Sequence, residues 1–471
     1  MPPGTSPSTP RTAAKRGANA VTDPRAAALA VLGRIAATHT TLDALLDESA
    51  SLTAGLDRRD RALFNQLVYG VLRWRRYLDA VVETYADRPP GKISPAVRDI
   101  LHLALFQIRF MDRIPPSAAV NTAVNLVRSR RMGRAAGFVN ALLRNALRRP
   151  DRFHLPDPDT SPVDHIAVAE SFPQWLVSRW VDRMGIDETR RLCAAMNRVP
   201  PIVLRCNRLI NRRSELIAAL ARTAETVTPS ERLPDALHLV GPHHPIAEMK
   251  AFRQGRFAVQ DEAAQLVSLL LAPSPGETVL DACAGLGGKT MHLAQLMENR
   301  GRIVAMDNAA TKLERLTAES RRLGITIAQT RRRNLDHPAG TDEAAAFDRI
   351  LLDAPCTGLG VLRRNPDAKW RLREADIARC AARQARFLDR LAPLLKPGGT
   401  LVFAVCSMEP EENEKVISRF LKSHTNFAII ADNSLEAKAV HPFLDADGFL
   451  RTAPHTHHMD GFFAARLTRT G

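Results

Sequence analysis

Apolar positions in the first third of the chain recur every three or four residues. Leu63, Leu67 and Val71, with Phe64 and Val68 beside them, make one stripe at helical spacing. Asp23-Pro24 reads as a cap followed by a first-turn proline and predicts a helix through Ile35. Pro115-Pro116 breaks the chain before a helix near Ser117. Gly133 separates that helix from another carrying Phe138, Val139, Leu142 and Leu143. Residues 23–150 are therefore expected to be all-α. Pro156-Asp157-Pro158-Asp159-Thr160-Ser161-Pro162 has the composition of a linker. Beyond it, helical stretches (172–184, 214–222) alternate with short apolar runs (201–207, 237–240), predicting a small α+β module over residues 163–250. From residue 251 the rhythm becomes strand, turn, helix. Strands are expected at Thr278–Asp281, Arg302–Asp307 and 325–329, with helices starting near Lys289 and spanning 309–323. The continuous apolar runs 350–352 and 401–405 read as buried parallel strands, so residues 251–471 form an α/β, doubly wound domain.

Composition narrows the class. A chain of 471 residues with 45% hydrophobic content holds two or three domains with real cores. Six cysteines without paired spacing argue against a disulfide framework and for a reducing, cytoplasmic setting. No apolar run approaches the ~18 residues needed to span a bilayer, so no membrane partner is expected. Residues 1–22 are rich in Pro, Ser, Thr and Ala without an apolar core, and read as a disordered tail rather than a signal peptide. Charge is uneven: the whole chain carries +16, and residues 1–150 hold 23 basic against 11 acidic residues. Arg128, Arg130, Arg131, Arg134, Arg144, Arg148 and Arg149 cluster where Asp112 is the one acid among residues 101–150, which points to phosphate binding.

Candidate chemistry gathers at strand ends. Run 350–352 leads into Asp353-Ala354-Pro355-Cys356, and run 401–405 leads into Cys406. In open α/β sheets, ligands collect at the carboxyl ends of the strands. Upstream, Asp281-Ala282-Cys283-Ala284-Gly285-Leu286-Gly287-Gly288-Lys289-Thr290 joins a strand to a helix. Its glycines let backbone approach a ligand next to unpaired helix N–H groups, although such loops occur in many nucleotide sites. Asp307, 26 positions after Asp281, ends the next strand as a carboxylate able to accept ribose hydroxyls. Core packing is the reading for Cys193, Cys206 and Cys380. His455, His457 and His458 match no metal spacing and read as a solvated loop; no metal is expected.

These residues resemble the RNA cytosine-C5 methyltransferases, which use S-adenosylmethionine and two cysteines. Pro355-Cys356 matches the Pro-Cys motif, and Val405-Cys406 matches the Thr-Cys motif with valine in place of threonine. Gly285-Leu286 stands where the family often has Ala-Pro. Asn334, with Asp336 close by, stands where the family has an Asp toward the adenine end. Further matches are residues 255–262, Arg364-Asn365-Pro366-Asp367, Lys369-Trp370, residues 409–414 and Asp460-Gly461-Phe462-Phe463, in the family's order. The resemblance implies a Rossmann-like class I methyltransferase domain. It carries Cys283, Ala284, Gly285, Leu286, Gly287, Gly288, Lys289, Asp307, Asn334, Asp336 and Asp353 toward the cofactor. It makes Cys406 the thiol that adds to cytosine C6, Cys356 the group that assists release, and Asp353 the group that meets N3. Such thiols are needed because C5 is a poor nucleophile until C6 is attacked. A free thiol has a pKa of about 8.5, so something must favour the thiolate, and Lys289 is a candidate.

Residues 67–74, 121–127 and 138–145 resemble the helical antitermination factor NusB. A NusB-like domain fused to this methyltransferase is the arrangement of the RsmB (Sun) branch. That branch acts on small-subunit ribosomal RNA and has a ferredoxin-like module against its catalytic domain; a monomer is expected. Two alternatives stand beside it: a tRNA cytosine-C5 methyltransferase, and a non-catalytic RNA-binding assembly factor with a vestigial cofactor site. DNA enzymes of this chemistry use the Pro-Cys cysteine as nucleophile and lack a second one, so Cys406 speaks against DNA.

Overall fold

The computed structural model describes residues 23–38, 40–86, 90–337, 345–430 and 438–470. The tail expected over residues 1–22 lies outside them. The chain divides into two compact units, 1–155 and 156–471.

The first unit is helical. Asp23 caps helix Pro24–Ala37 by accepting from the Arg25 amide at 2.9 Å. Helices Arg58–Arg73, Arg75–Tyr85, Pro95–Phe110, Pro116–Ser129 and Ala136–Arg148 follow. Helix Pro95–Phe110 is the spine, with Val97 and every residue from Ile100 to Gln107 buried. Of the expected stripe, Phe64, Leu67, Val68 and Val71 face inward and Leu63 is half-buried, and Gly70 is required beside them. A Cβ there would stand 2.0 Å from the Phe106 ring.

In the second unit the expected linker is an ordered turn. Asp157 Oδ1 accepts from the amides of Asp159 (2.8 Å) and Thr160 (3.0 Å), leading into helix Pro162–Ala169. Helices Gln174–Met184 and Ile186–Asn197 share a core of Phe172, Trp180, Leu192 and Cys193 with Leu359, Leu362 and Ala368 from the segment after Cys356. A four-stranded antiparallel sheet comes next, from β1 (Ile202–Cys206), β2 (Ala224–Pro229), β3 (Ala236–Pro242) and β4 (Phe257–Val259), in order β2-β3-β1-β4. β2 was not anticipated. It is an edge strand with only Ala224 fully buried, so it leaves no apolar pattern. β4 comes from beyond residue 250, where the module was expected to end.

The larger sheet is built from β5 (Thr278–Asp281), β6 (Arg302–Asp307), β7 (Ala328–Arg332), β8 (Phe347–Asp353), β9 (Leu395–Val405), β10 (Phe427–Ile429), β11 (Leu450–Thr452) and β12 (Phe462–Arg469). Its order is β10-β12-β9-β8-β5-β6-β7, with β11 paired to β12. β5 to β9 run parallel, while β12 is antiparallel to β9. The order reverses between β5 and β8, and that switch point opens the ligand crevice. Expected over 325–329, β7 lies three residues later. Ile325 and Ile327 anchor the approach to the strand, and β7 itself is an exposed edge paired to β6 from Ala328 onward.

Candidate active site

The turn after β5 leads into helix Gly288–Leu296 through two left-handed glycines, Gly285 (φ 57°) and Gly287 (φ 88°). Beside it a cavity of about 320 Å³ opens at the switch point, within the size range of small-molecule sites. Cys283 and Gly285 line it from the turn, Asp307 from β6, Asn334 and Leu335 from the loop after β7, Asp353 and Pro355 from β8, and Arg383 and Phe387 from helix Glu374–Leu391. Asp307 Oδ2 accepts from the Gly285 amide at 3.0 Å and Oδ1 from the Ala309 amide at 2.9 Å. Each oxygen keeps a lone pair for a hydroxyl.

Other expected cofactor residues sit elsewhere. Asp336 is not part of the lining; Arg383 holds it at 2.6 and 3.2 Å and Arg386 approaches at 3.6 Å. Those guanidiniums, hydrogen-bonding first, hold its carboxyl below the usual range. Ala284 donates its amide to the Met306 carbonyl at 2.7 Å, and Leu286 points outward, 53% exposed. Gly287 and Gly288 shape the turn without lining the cavity.

Lys289 turns toward the strand ends, its ammonium 2.6 Å from Asp353 Oδ2 and 5.2 Å from the Phe462 ring centre. Burial works to lower its pKa, but Asp353, Cys406 and Asp281 together raise it above the ordinary lysine value, so it stays charged. The two thiols predicted at the strand ends meet: Cys356 Sγ lies 3.3 Å from Cys406 Sγ. That hydrogen bond and burial push the Cys356 thiol well up, so it keeps its proton and can share it with Cys406. Asp281, the last residue of β5, is fully buried. Its Oδ2 accepts from Thr290 at 2.7 Å, while Oδ1 has no partner among the described residues, and burial pushes its carboxyl up to about 7.

Several residues that hold this arrangement were visible in the sequence only as motif letters. Glu412, fully buried, accepts from the Thr357 amide (2.9 Å), the Ser407 hydroxyl (2.5 Å) and Gln384 (3.1 Å), tying the residues that follow both cysteines. Gly360 donates to the Cys406 carbonyl at 3.0 Å, and a Cβ on Gly360 would lie 2.0 Å from the Gly461 oxygen. Arg363 and Arg364 bridge Asp261 and Asp460 at 2.6–3.2 Å, joining three distant motifs. Lys369 is buried, donating to Asn197 at 2.7 Å with its ammonium 3.6 Å from the Phe172 ring centre. From the antiparallel sheet, buried Arg205 donates to the Gly288 carbonyl at 2.9 Å. Its signal, a lone arginine in an apolar strand, could have marked it.

Cys193 and Cys206 are core residues as expected, and burial pushes the Cys206 thiol up to about 12. Cys380 is not one. It is half-buried and lines a cavity with Cys356, on the first half of helix Glu374–Leu391, whereas Ala385, Phe387, Leu388 and Leu391 further along pack on the sheet. The histidines are not a solvated loop either. Pro454 starts a short helix that brings His455 Nε2 to Glu188 at 2.5 Å and His457 Nδ1 to the Ala453 amide at 3.0 Å, leaving His458 exposed. Among the described residues no His, Cys, Asp and Glu group could hold a metal ion, and no helix is long and apolar enough to cross a membrane. All seven candidate RNA-binding arginines are exposed on the first unit.

Comparison with known proteins agrees with this geometry. Family models match three segments: the 16S rRNA methyltransferase RsmB/F family over residues 268–468, the NusB family over 22–148, and the RsmF/B ferredoxin-like domain over 172–246. The chain is 39% identical over 412 residues to the probable ribosomal RNA small subunit methyltransferase B of Synechocystis, covering 87% of this chain and 91% of that one. The chain belongs to this family. The Bacillus subtilis protein of the same description is 36% identical, with 91% and 94% covered. The solved structure of PH0851 superposes with a TM-score of 0.78 at 30% identity, covering 95% and 99% of the two chains. The enzyme is thus an S-adenosylmethionine-dependent RNA methyltransferase with a NusB domain, a ferredoxin-like module and a Rossmann-like catalytic domain. The cavity suits that cofactor. Asp307 offers acceptors for ribose hydroxyls, Leu335 and Phe387 offer apolar walls for a base, and Asp353 offers negative charge for a cationic group.

Proposed function

We propose that the enzyme methylates C5 of a cytosine in small-subunit ribosomal RNA through a covalent adduct between Cys406 and cytosine C6. The carrying observation is the 3.3 Å approach of the Cys356 and Cys406 sulfurs, next to the Lys289–Asp353 pair and the cofactor cavity. Cys406 attacks as the thiolate, the nucleophilic form of a cysteine. Its addition to C6 sends electron density to N3, which takes a proton passed from the Lys289 ammonium through the Asp353 carboxyl. C5 then carries the lone pair that forms the new bond. Bound S-adenosylmethionine supplies the electrophilic methyl group. Afterwards a base takes the C5 proton, the C6–sulfur bond breaks, and Cys356 returns a proton to the departing thiolate. Glu412 keeps both thiol-bearing segments in register throughout.

The names of the Synechocystis and Bacillus subtilis relatives, nearly all of whose length the chain covers, support ribosomal RNA as the substrate. Bisulfite sequencing of small-subunit ribosomal RNA from cells with and without the gene tests this reading. One protected cytosine should become convertible when the gene is removed. Unchanged ribosomal RNA with a protected tRNA cytosine lost would move the substrate to tRNA.

A further inference from the structure

Helix Pro116–Ser129 places Asn121, Asn125 and Arg128 on one face, at i, i+4 and i+7. Across from them helix Ala136–Arg148 presents Gly137 and Asn140. Together they line an open cleft of about 440 Å³ in the NusB domain. Asn121 and Asn125 are exposed and make no side-chain hydrogen bond among the described residues. Asn140 Oδ1 accepts from Arg144 Nε at 3.0 Å, which orients the carboxamide and leaves its NH2 group free to donate. Gly137 is bare for no packing reason: a Cβ there would meet nothing within 4 Å. Its absence leaves the cleft unobstructed.

Electrostatics favour an anionic polymer. No acidic residue occurs between Asp112 and Asp151; Arg128 lines the cleft, and Arg130, Arg131 and Arg134 lie exposed in the turn that joins its two helices. Guanidiniums on a rim hold phosphates without reading sequence; specificity comes from groups that meet base edges. Three carboxamides beside Arg128 and the arginine-bearing turn supply such groups. A carboxamide is both donor and acceptor and matches the N6/N7 edge of adenine with two hydrogen bonds. In RNA that edge becomes accessible where bases are unpaired and splayed from the stack.

We infer that this cleft is a base-reading site for single-stranded RNA, in which Asn121, Asn125 and Asn140 recognise an unstacked base, adenine foremost, while Arg128 and the arginines of the adjoining turn hold the backbone. The inference rests on the reading that the enzyme acts on RNA and adds where and how sequence is read. It uses groups remote in sequence from the catalytic cysteines.

The test uses the full-length chain and fluorescently labelled single-stranded RNAs, A-rich and U-rich, at several salt concentrations. Wild type should favour the A-rich strand by roughly 5- to 100-fold. Asn121→Ala/Asn125→Ala should lose that preference with an unchanged salt slope, since no phosphate contact is removed. Gly137→Leu, which fills the cleft from a position with free space, should do the same. Arg131→Ala/Arg134→Ala, in the turn beside the cleft, should weaken both strands alike and flatten the salt dependence, by roughly 0.7 in log–log slope per lost phosphate contact. If the arginine variant flattens the slope while the preference survives in both cleft variants, the base-reading site is refuted and RNA binding stands. An unchanged slope in the arginine variant overturns the RNA-binding reading of this domain itself. Absence of any base preference in wild type refutes the inference and points to a protein partner.

Discussion

The carboxylate of Glu412 accepts the Ser407 hydroxyl at 2.5 Å, one residue beyond Cys406, and through the Thr357 amide at 2.9 Å it reaches one residue beyond Cys356. One buried acid thus fixes the separation of two thiols carried by different strands. Replacing it by glutamine keeps the shape but loses the charge that strengthens these bonds. For Glu412→Gln we expect kcat to fall, on the order of 100-fold if the thiols drift by about 1 Å. S-adenosylmethionine affinity should stay near wild type. Equal losses in cofactor binding and turnover would show a general folding defect instead, and thermal melting of the same variant separates the two.

The cysteines should divide their labour. Cys406→Ala is expected to abolish methyl transfer with cofactor binding intact. Cys356→Ala is expected to accumulate a protein–RNA adduct that survives denaturing gel electrophoresis. An adduct in the Cys406 variant, and none in the Cys356 variant, would exchange the two roles.

Asp307 lines the cavity while backbone amides of Gly285 and Ala309 hold its two oxygens in place. Asp307→Ala should weaken S-adenosylmethionine binding by roughly 1.5–3 kcal/mol, the worth of hydrogen bonds to a charged group. Titration calorimetry measures this directly, and an unchanged affinity would remove Asp307 from the site. Asp336→Ala should leave affinity nearly unchanged, because Arg383 and Arg386 already claim that carboxylate.

Asp281 makes stability depend on pH. Its folded pKa of about 7 lies above the roughly 3.9 of an unfolded aspartate, so the native state keeps a proton that the unfolded state releases. The resulting stabilisation is complete below about pH 4 and is lost as pH rises to 7. Asp281→Asn lacks this dependence. Relative to wild type the variant should gain stability from pH 5 to pH 7, on the order of 1.4 kcal/mol per pH unit, and then level off. Thermal midpoints of both proteins at pH 5, 6, 7 and 8 give the comparison; a constant difference would mean that Asp281 is ionised throughout.

The sequence by itself determined the features that depend on neighbours along the chain. The stripe of Leu67 and Val71, the Asp23 cap, strands β5, β6, β8 and β9, and the glycine turn with Asp307 after it all follow from local periodicity and turn chemistry. Each buries a continuous face or requires a particular backbone conformation, and both leave a mark in consecutive residues. Only the tertiary structure decided that Cys356 and Cys406, fifty positions apart, touch: β8 and β9 are neighbours, with Asp353 opposite Ala404, and that pairing carries both thiols to one edge. It also decided that Asp336 goes to Arg383 rather than to the cavity, that Cys380 borders a cleft, and that Glu412 joins two segments. Those outcomes depend on which strands lie side by side and which charges meet across the fold, and hydrophobic periodicity encodes neither.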